Sequence, residues 1–476
     1  MRQRHSTNPW VVLVLICIAQ FMVILDATIV NVALPSIQRD LGLSEANLQW
    51  IINAYTLVFG GFLLLGGRAG DLLGRKRLFL LGLVIFTTAS LLNGLASSSG
   101  MLIGFRAVQG LGAALVSPAA LSIISTTFAE GKERARALGV WAAIAVGGSA
   151  FGLVLGGWLT QSFSWPWIFF VNVPVGVFAF FAALRLVPES RDEHARKHYD
   201  LGGAVTVTGG LMALVYAIVK AETKGWGSTT TIGFFVLALA LLASFIVLEL
   251  RSPAPLVRLS IFRTRSLSTA NLTMFLVASG MFAMFFFNTL YIQRVLGYHP
   301  LKAGIVFLPF TAGIMISAGL ASNLAPRIGV RPVAAVGMLL TALGMLLFAH
   351  MPVHGSYASD VLPGMIVASL GMGAVFMPLT LVATTGLKDE DQGLASGLFN
   401  TSQQIGGALG LAILSTIAAG RTHGTSPAAL VHGFHYAFSG AAAFVLAALV
   451  LMAALLRKQH VARIEAEATE PAIAGA

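Results

Sequence analysis

The sequence predicts an all-α integral membrane protein: two six-helix bundles with two further helices inserted between them. Three observations carry that reading. Of 476 residues, 57% are hydrophobic and 10% charged, against roughly 25% charged in a soluble domain, so there are too few charges to cover a soluble protein of this size. The apolar residues collect into fourteen runs, each near the ~20 residues a helix needs to cross a bilayer. Short patterns also recur along the chain at an offset of about 255 residues.

The runs fall at 10–33, 48–66, 77–96, 102–128, 136–160, 166–186, 202–220, 230–250, 268–292, 301–323, 332–350, 361–384, 394–418 and 434–456. In lipid each backbone N–H and C=O must find its partner within the segment, which a helix provides. A β-barrel would alternate polar and apolar residues in ~10-residue strands, and these runs are continuously apolar. The first run contains Asp26 and lacks a small-x-small cleavage site, so it reads as a spanning helix and not a signal peptide.

The repeat ties the runs into halves. The first ends Ile37-Gln38-Arg39-x-Leu41-Gly42 and the ninth Ile292-Gln293-Arg294-x-Leu296-Gly297. The fifth carries Gly148-x-x-x-Gly152 and the thirteenth Gly406-x-x-x-Gly410. The fourth and twelfth each carry Gly-x-Gly followed by a proline, Pro118 and Pro378. The expected division is therefore 1–200 for a first six-helix bundle, 201–265 for an inserted pair, 266–458 for a second bundle and 459–476 for a tail. Repeats of one orientation imply a transporter, with its substrate site near the bilayer midplane.

The net charge of +11 and pI near 10.1 come from bases clustered between the runs, which argues against a nucleic-acid partner. With the N-terminus cytoplasmic, 23 of the 30 Lys and Arg lie on that side. Positive-inside bias then puts both termini in the cytoplasm. Cys17 is the only cysteine, so no internal disulfide is expected, and no Cys/His cluster has metal-ligand spacing. There is no P-loop, HExxH or GxSxG. No cofactor and no enzymatic activity are expected, and an ion gradient is the expected source of energy.

Two charges stand inside the runs. Asp26 lies in the first, and a carboxylate at bilayer depth faces the bundle interior or a water cavity. Burial favours its neutral form, as a reversible proton carrier requires, and a nearby cation opposes that. Arg106 lies in the fourth run, in Leu102-x-x-x-Arg106-x-x-Gln109-Gly110-x-Gly112. The two helices run in opposite directions, so both charges fall in the outer half and can pair. Protonation of Asp26 is expected to hand Arg106 to another partner, such as Gln109.

Gly67-Arg68-Ala69-Gly70-Asp71-Leu72-Leu73-Gly74-Arg75 joins the second and third runs. Its glycines allow a tight turn, and Asp71 and Arg75 can make charge-assisted contacts that latch the cytoplasmic side. The small residues of Gly148-x-x-x-Gly152-x-x-x-Gly156 permit close helix approach. Phe285 and Asn288 share a face of the ninth run with Met281 and Met284, a soft wall for lipophilic ligands. Asn31, Asn53, Tyr55, Gln109, Asn400 and Gln403 are further candidates for a binding pocket.

These motifs resemble the major facilitator superfamily, in its fourteen-helix drug:proton antiporter branch. Asp26-x-Thr28-x-x-Asn31-Val32-Ala33-Leu34-Pro35 is similar to that branch's first-helix motif. Gly67 to Arg77 resembles the superfamily's loop motif, with Ala69 and Leu72 as departures. Leu102 to Gly112 resembles its fourth-helix motif, whose arginine is linked to proton transfer. Phe169-x-x-Asn172-x-Pro174-x-Gly176 is similar to the start of the branch's sixth helix. Gly152-Leu153-Val154-Leu155-Gly156-Gly157 lacks the proline usual in the fifth, and Trp165-Pro166-Trp167 replaces the usual Trp-Arg-Trp.

The resemblance implies the major facilitator fold, its two bundles related by a pseudo-twofold axis, and proton-coupled efflux of drugs, antiseptics, dyes or antibiotics by alternating access. Asp26 and Arg106 would couple protons, and Gly67, Asp71, Gly74 and Arg75 would gate the cytoplasmic side. The expected partners are lipophilic small molecules, protons and membrane lipid, the expected state a monomer, and the expected place the cytoplasmic membrane. The alternatives are a narrow exporter or flippase of one amphiphilic metabolite or lipid, and a proton-coupled importer.

Overall fold

The structure is a computed structural model. It describes residues 8–128, 131–190, 200–253, 255–384, 387, 389–424 and 426–456, apart from the side chains of a few residues within them, Asp71 included. Among the described residues, fourteen helices are long and apolar enough to cross a membrane. They are α1 (Pro9–Leu41), α2 (Trp50–Gly70), α3 (Arg75–Gly94), α4 (Ser99–Thr127), α5 (Lys132–Ser162), α6 (Trp167–Leu186), α7 (Leu201–Ala221), α8 (Thr229–Arg251), α9 (Arg265–Val295), α10 (Pro300–Ile328), α11 (Val330–Phe348), α12 (Tyr357–Thr384), α13 (Asp391–Arg421) and α14 (Pro427–Leu455). Every expected run is a helix. Several extend past their apolar stretch, because a helix ends where its backbone is capped and not where lipid ends. α14 begins at Pro427, behind the Ser426 hydroxyl that accepts from Ala429 N–H. α1 continues through Pro35 to Gly42, whose left-handed φ of 61° closes the last turn.

The chain forms two compact units. Unit 1 takes in the described residues of Met1–Leu43, Trp50–Thr208 and Ser244–Leu256, and unit 2 those of Ser44–Gln49, Gly209–Ala243 and Val257–Ala476. The division falls inside α7 and α8, so each unit holds one end of that pair.

Within unit 1, α1 packs on α4, α5 and α6, α4 on α2 and α3, and α3 on α6. Unit 2 repeats the pattern eight helices on: α9 packs on α12, α13 and α14, α12 on α10 and α11, and α11 on α14. Small residues build these contacts, because lipid supplies no hydrophobic drive between helices and close van der Waals packing must serve. A Cβ on Gly152 would fall 2.2 Å from Thr28 Oγ1 of α1, and one on Gly410 2.3 Å from Ser279 Cα of α9. The Gly-x-Gly pairs wedge one helix between two. A Cβ on Gly110 would strike Tyr55 O of α2 and one on Gly112 Phe86 N of α3, while Gly373 and Gly371 meet Ile314 O of α10 and Thr341 N of α11.

The repeat also has a meaning in the backbone. Gly42 and Gly297, at the 255-residue offset, both carry positive φ, 61° and 69°. So do Gly74 and Gly329, at 106° and 94°, at the same offset.

Candidate functional site

Asp26 sits on α1 at the level where Gly152 and Gly156 of α5 come against Leu25, Thr28 and Ile29. Arg106 and Gln109 sit on α4 in the turn that ends at Gly110, where α4 meets the backbone of α2. These two glycine contacts draw α1, α2 and α4 together around the polar groups. Asp26 is 0% exposed and Arg106 1%, so the carboxylate faces the interior of unit 1.

The ion pair allowed by the opposed helices is present: Arg106 Nη1 donates to Asp26 Oδ2 at 2.5 Å. The same Nη1 donates to Gln109 Oε1 at 2.8 Å. Arg106 therefore holds Asp26 and Gln109 together, so Gln109 is already its partner while the ion pair is intact. Arg106 Nε donates to Ile51 O of α2 at 3.1 Å, and its guanidinium lies 4.3 Å from the centre of the Tyr55 ring. A guanidinium suits this place because its fixed fork serves several acceptors at once. Two buried charges are tolerated when paired and otherwise hydrogen-bonded.

The network runs further than the sequence indicated. Asp26 Oδ1 accepts from Gln109 Nε2 at 2.8 Å and from Asn172 Nδ2 of α6 at 2.9 Å. Asn93 Nδ2 of α3 donates to Gln109 Oε1 at 2.8 Å. Asn172 Nδ2 also reaches Ser90 Oγ at 3.1 Å, and Ser90 Oγ donates to Phe169 O at 2.9 Å. Five helices, α1, α2, α3, α4 and α6, thus meet in one buried hydrogen-bonded cluster. Ser90 and Asn93 escaped the sequence reading because they are uncharged polar residues in a run that also holds Thr87 and Thr88, and nothing in that pattern singles out the two that meet the ion pair. Asn172 was in view only as part of a family pattern.

The remaining candidates are dispersed. Tyr55 belongs to the cluster through its ring, and Asn53 is fully buried on α2. Asn31 Nδ2 turns back to Ala27 O and Thr28 O of its own helix at 3.3 and 3.2 Å, and Asn400 Nδ2 does the same to Ser396 O at 3.2 Å. Gln403 is half-buried on α13. In unit 2, Phe285 packs against Phe307 and Phe310 with ring centres 5.8 and 5.1 Å away. One turn on, Asn288 is 0% exposed and neither atom of its amide has a hydrogen-bond partner among the described residues.

At the loop between α2 and α3, Gly74 has φ 106°, and a Cβ there would come within 2.5 Å of Glu189 Oε1. Glu189 follows α6 and accepts from Lys76 N–H of α3 at 3.2 Å, placing a negative charge on the positive end of the α3 dipole. Arg75 N–H donates to Ser190 O at 2.9 Å, and Lys76 Nζ to Leu184 O at 2.8 Å. Gly67 is half-buried on α2. The Asp71 side chain lies outside the described residues. Unit 2 has a related contact at the 255-residue offset: Arg331 Nη2 donates to Ala453 O near the end of α14 at 2.6 Å. The repeated glycine with a base two residues on, Gly74/Lys76 and Gly329/Arg331, was the signal in the sequence that could have found it.

Fourteen spanning helices in a repeated arrangement, with a buried ion pair at bilayer depth, define a polytopic membrane transporter. The family model of the Major Facilitator Superfamily matches residues 16–411, and the chain belongs to that family. It is 41% identical over 462 residues to the puromycin resistance protein pur8 of Streptomyces alboniger, covering 95% of this chain and 92% of that one. It is 40% identical over 454 residues to the cephamycin export protein CmcT of Amycolatopsis lactamdurans, covering 94% and 93%. Among solved structures, a bacterial homologue of the human lysosomal transporter Spinster matches with a TM-score of 0.66 at 17% identity, over 95% of this chain and 98% of that one. That likeness concerns the fold.

Proposed function

We propose that this protein exports lipophilic small molecules, antibiotics among them, across the cell membrane in exchange for protons by alternating access. The observation that carries the proton coupling is the fully buried Asp26–Arg106 pair, since an ionisable group at bilayer depth is costly to retain without a task. Asp26 takes up and releases the proton, and Arg106 holds the carboxylate between uptakes. The relatives named for puromycin resistance and cephamycin export support the substrate class and the outward direction. Each name carries a single compound, which favours a narrow exporter of one metabolite as the second reading.

Gly67, Asp71, Gly74 and Arg75 form the cytoplasmic gate in this reading. Asn31, Asn53, Tyr55, Gln109, Phe285, Asn288, Asn400 and Gln403 contact substrate. Support is strongest at Asn288, whose buried amide has no protein partner among the described residues and therefore carries a desolvation cost that a polar ligand atom would relieve. One turn away on α9, Phe285 joins the aromatic cluster with Phe307 and Phe310, whose rings suit a lipophilic body. The protein works as a monomer with both termini cytoplasmic, and its domains divide at 1–200, 201–265, 266–458 and 459–476.

The test is energised efflux of a fluorescent lipophilic cation from cells expressing wild type or Asp26→Asn, with and without a protonophore. Efflux by wild type alone, abolished by the protonophore, is expected. Uphill efflux by Asp26→Asn would remove Asp26 as the carrier. A well-expressed wild type without efflux would favour the narrow exporter.

A further inference from the structure

Among the described residues, every polar atom that hydrogen-bonds to the Asp26 carboxylate is a donor. Oδ2 accepts from Arg106 Nη1, and Oδ1 from Gln109 Nε2 and Asn172 Nδ2. The amide orientations follow from the network. Gln109 must present its oxygen to Arg106, which can only donate, and Asn93 Nδ2 donates to that same oxygen. Asn172 must present nitrogen to a carboxylate and to Ser90 Oγ, whose proton goes to Phe169 O. This shell fits an ionised carboxylate. A protonated carboxyl carries an O–H that needs an acceptor, and none of the three contacting atoms is one.

One amide must therefore turn over when a proton arrives. Gln109 is locked by Arg106: turned over, its NH2 would face Arg106 Nη1, an obligate donor at 2.8 Å. Among the described residues, the turning nitrogen of Asn172 makes only one other bond, the 3.1 Å contact to Ser90 Oγ. Among the described residues, the charged or titratable side chains at this point are Arg106 of α4 and Tyr55 of α2, stacked on each other. α5 brings Gly152 and Gly156 to this stretch of α1, and α6 brings Asn172.

We propose that Asn172 is a proton-responsive positioning residue. Its amide donates to ionised Asp26 and turns over to accept from protonated Asp26. In turning it withdraws its N–H from Ser90, whose single proton then faces two acceptors on α6, Phe169 O and the Asn172 oxygen, so that one of its two bonds to α6 is lost and protonation loosens α6 from α3. The inference rests on the reading of Asp26 as the proton carrier.

The test is pH-difference infrared spectroscopy of the purified full-length protein, following the carboxylic C=O band that disappears in Asp26→Asn. Ser90 touches no atom of Asp26, yet it holds Asn172 in the donating orientation. Ser90→Ala is therefore expected to move the midpoint of the band up by about half a pH unit, roughly threefold in proton affinity. Asn172→Leu is expected to move it up by about one unit, tenfold. The charge-assisted bond it removes from the ionised form is roughly twice as strong as the neutral bond it removes from the protonated form. In the double variant the Ser90 effect vanishes, because Ser90 acts only through Asn172. Ser90→Ala removes one hydroxyl and carries the test alone if Asn172→Leu does not fold.

A Ser90→Ala midpoint equal to wild type, additive effects in the double variant, or no Asp26 band at all overturns the proposal. Transport decides the underlying reading separately. Loss of coupled efflux in Asp26→Asn with an unmoved Ser90→Ala midpoint removes only the role of Asn172. Retained uphill efflux in Asp26→Asn removes Asp26 as carrier, whatever the band does.

Discussion

Arg106 shows how much of a buried site one side chain can hold. Its guanidinium serves Asp26, Gln109 and the Ile51 carbonyl and covers the Tyr55 ring. Arg106→Ala would leave a buried carboxylate without its cation, a loss of about 3–5 kcal/mol. Denaturant unfolding in detergent should read that loss, and an Ala variant as stable as wild type would refute it. Arg106→Lys keeps the charge but not the planar fork, so its stability should fall between the two. The pair itself was legible in the sequence, because two lone charges on oppositely directed helices at one depth have few other ways to be buried. Asn172, Ser90 and Asn93 were not, since spacing along a helix says nothing about which neighbour its polar face meets.

At the scale of the helix, glycine sets how near two axes come, and the cost of filling the gap depends on what stands opposite. A Cβ on Gly410 would meet Ser279 Cα, Cβ and O within 2.7 Å, which is largely backbone, whereas one on Gly148 would meet the Ile24 side chain at 3.2 Å. Gly410→Ala is expected to destabilise by about 1–3 kcal/mol, and Gly148→Ala by clearly less. Comparing the two by thermal unfolding checks this, and equal costs would count against it. Glu189 is the corresponding feature of a helix end. Its carboxylate accepts from Lys76 N–H, while its pairing with Arg77 at 3.6 Å involves a side chain 76% exposed and adds little. Glu189→Ala should therefore cost about 1 kcal/mol through the lost cap. Raising the salt concentration should change that cost only slightly, which separates the cap from the ion pair.

For the whole molecule, the distribution of lysine and arginine fixes the expected orientation. A reporter fused after residue 476 that fluoresces only in the cytoplasm should be bright, and an export-dependent enzyme fused there should be inactive. The opposite result would reverse the assignment of sides. Composition and run length alone determined that this is a membrane protein with fourteen spanning helices, because crossing lipid imposes both length and apolarity on every span. The 255-residue offset marked the repeat, and the structure gave it physical content: left-handed glycines at 42 and 297, and at 74 and 329, and the same helix pairings in each unit. Only the tertiary structure decided which side chains share the Asp26 cluster, that Arg106 holds Asp26 and Gln109 at the same time, and that Glu189 stands over Gly74. Each of those contacts joins residues on separate elements. Their meeting depends on how close glycine allows two helices to come and on which faces then turn inward, and hydropathy along one helix contains neither.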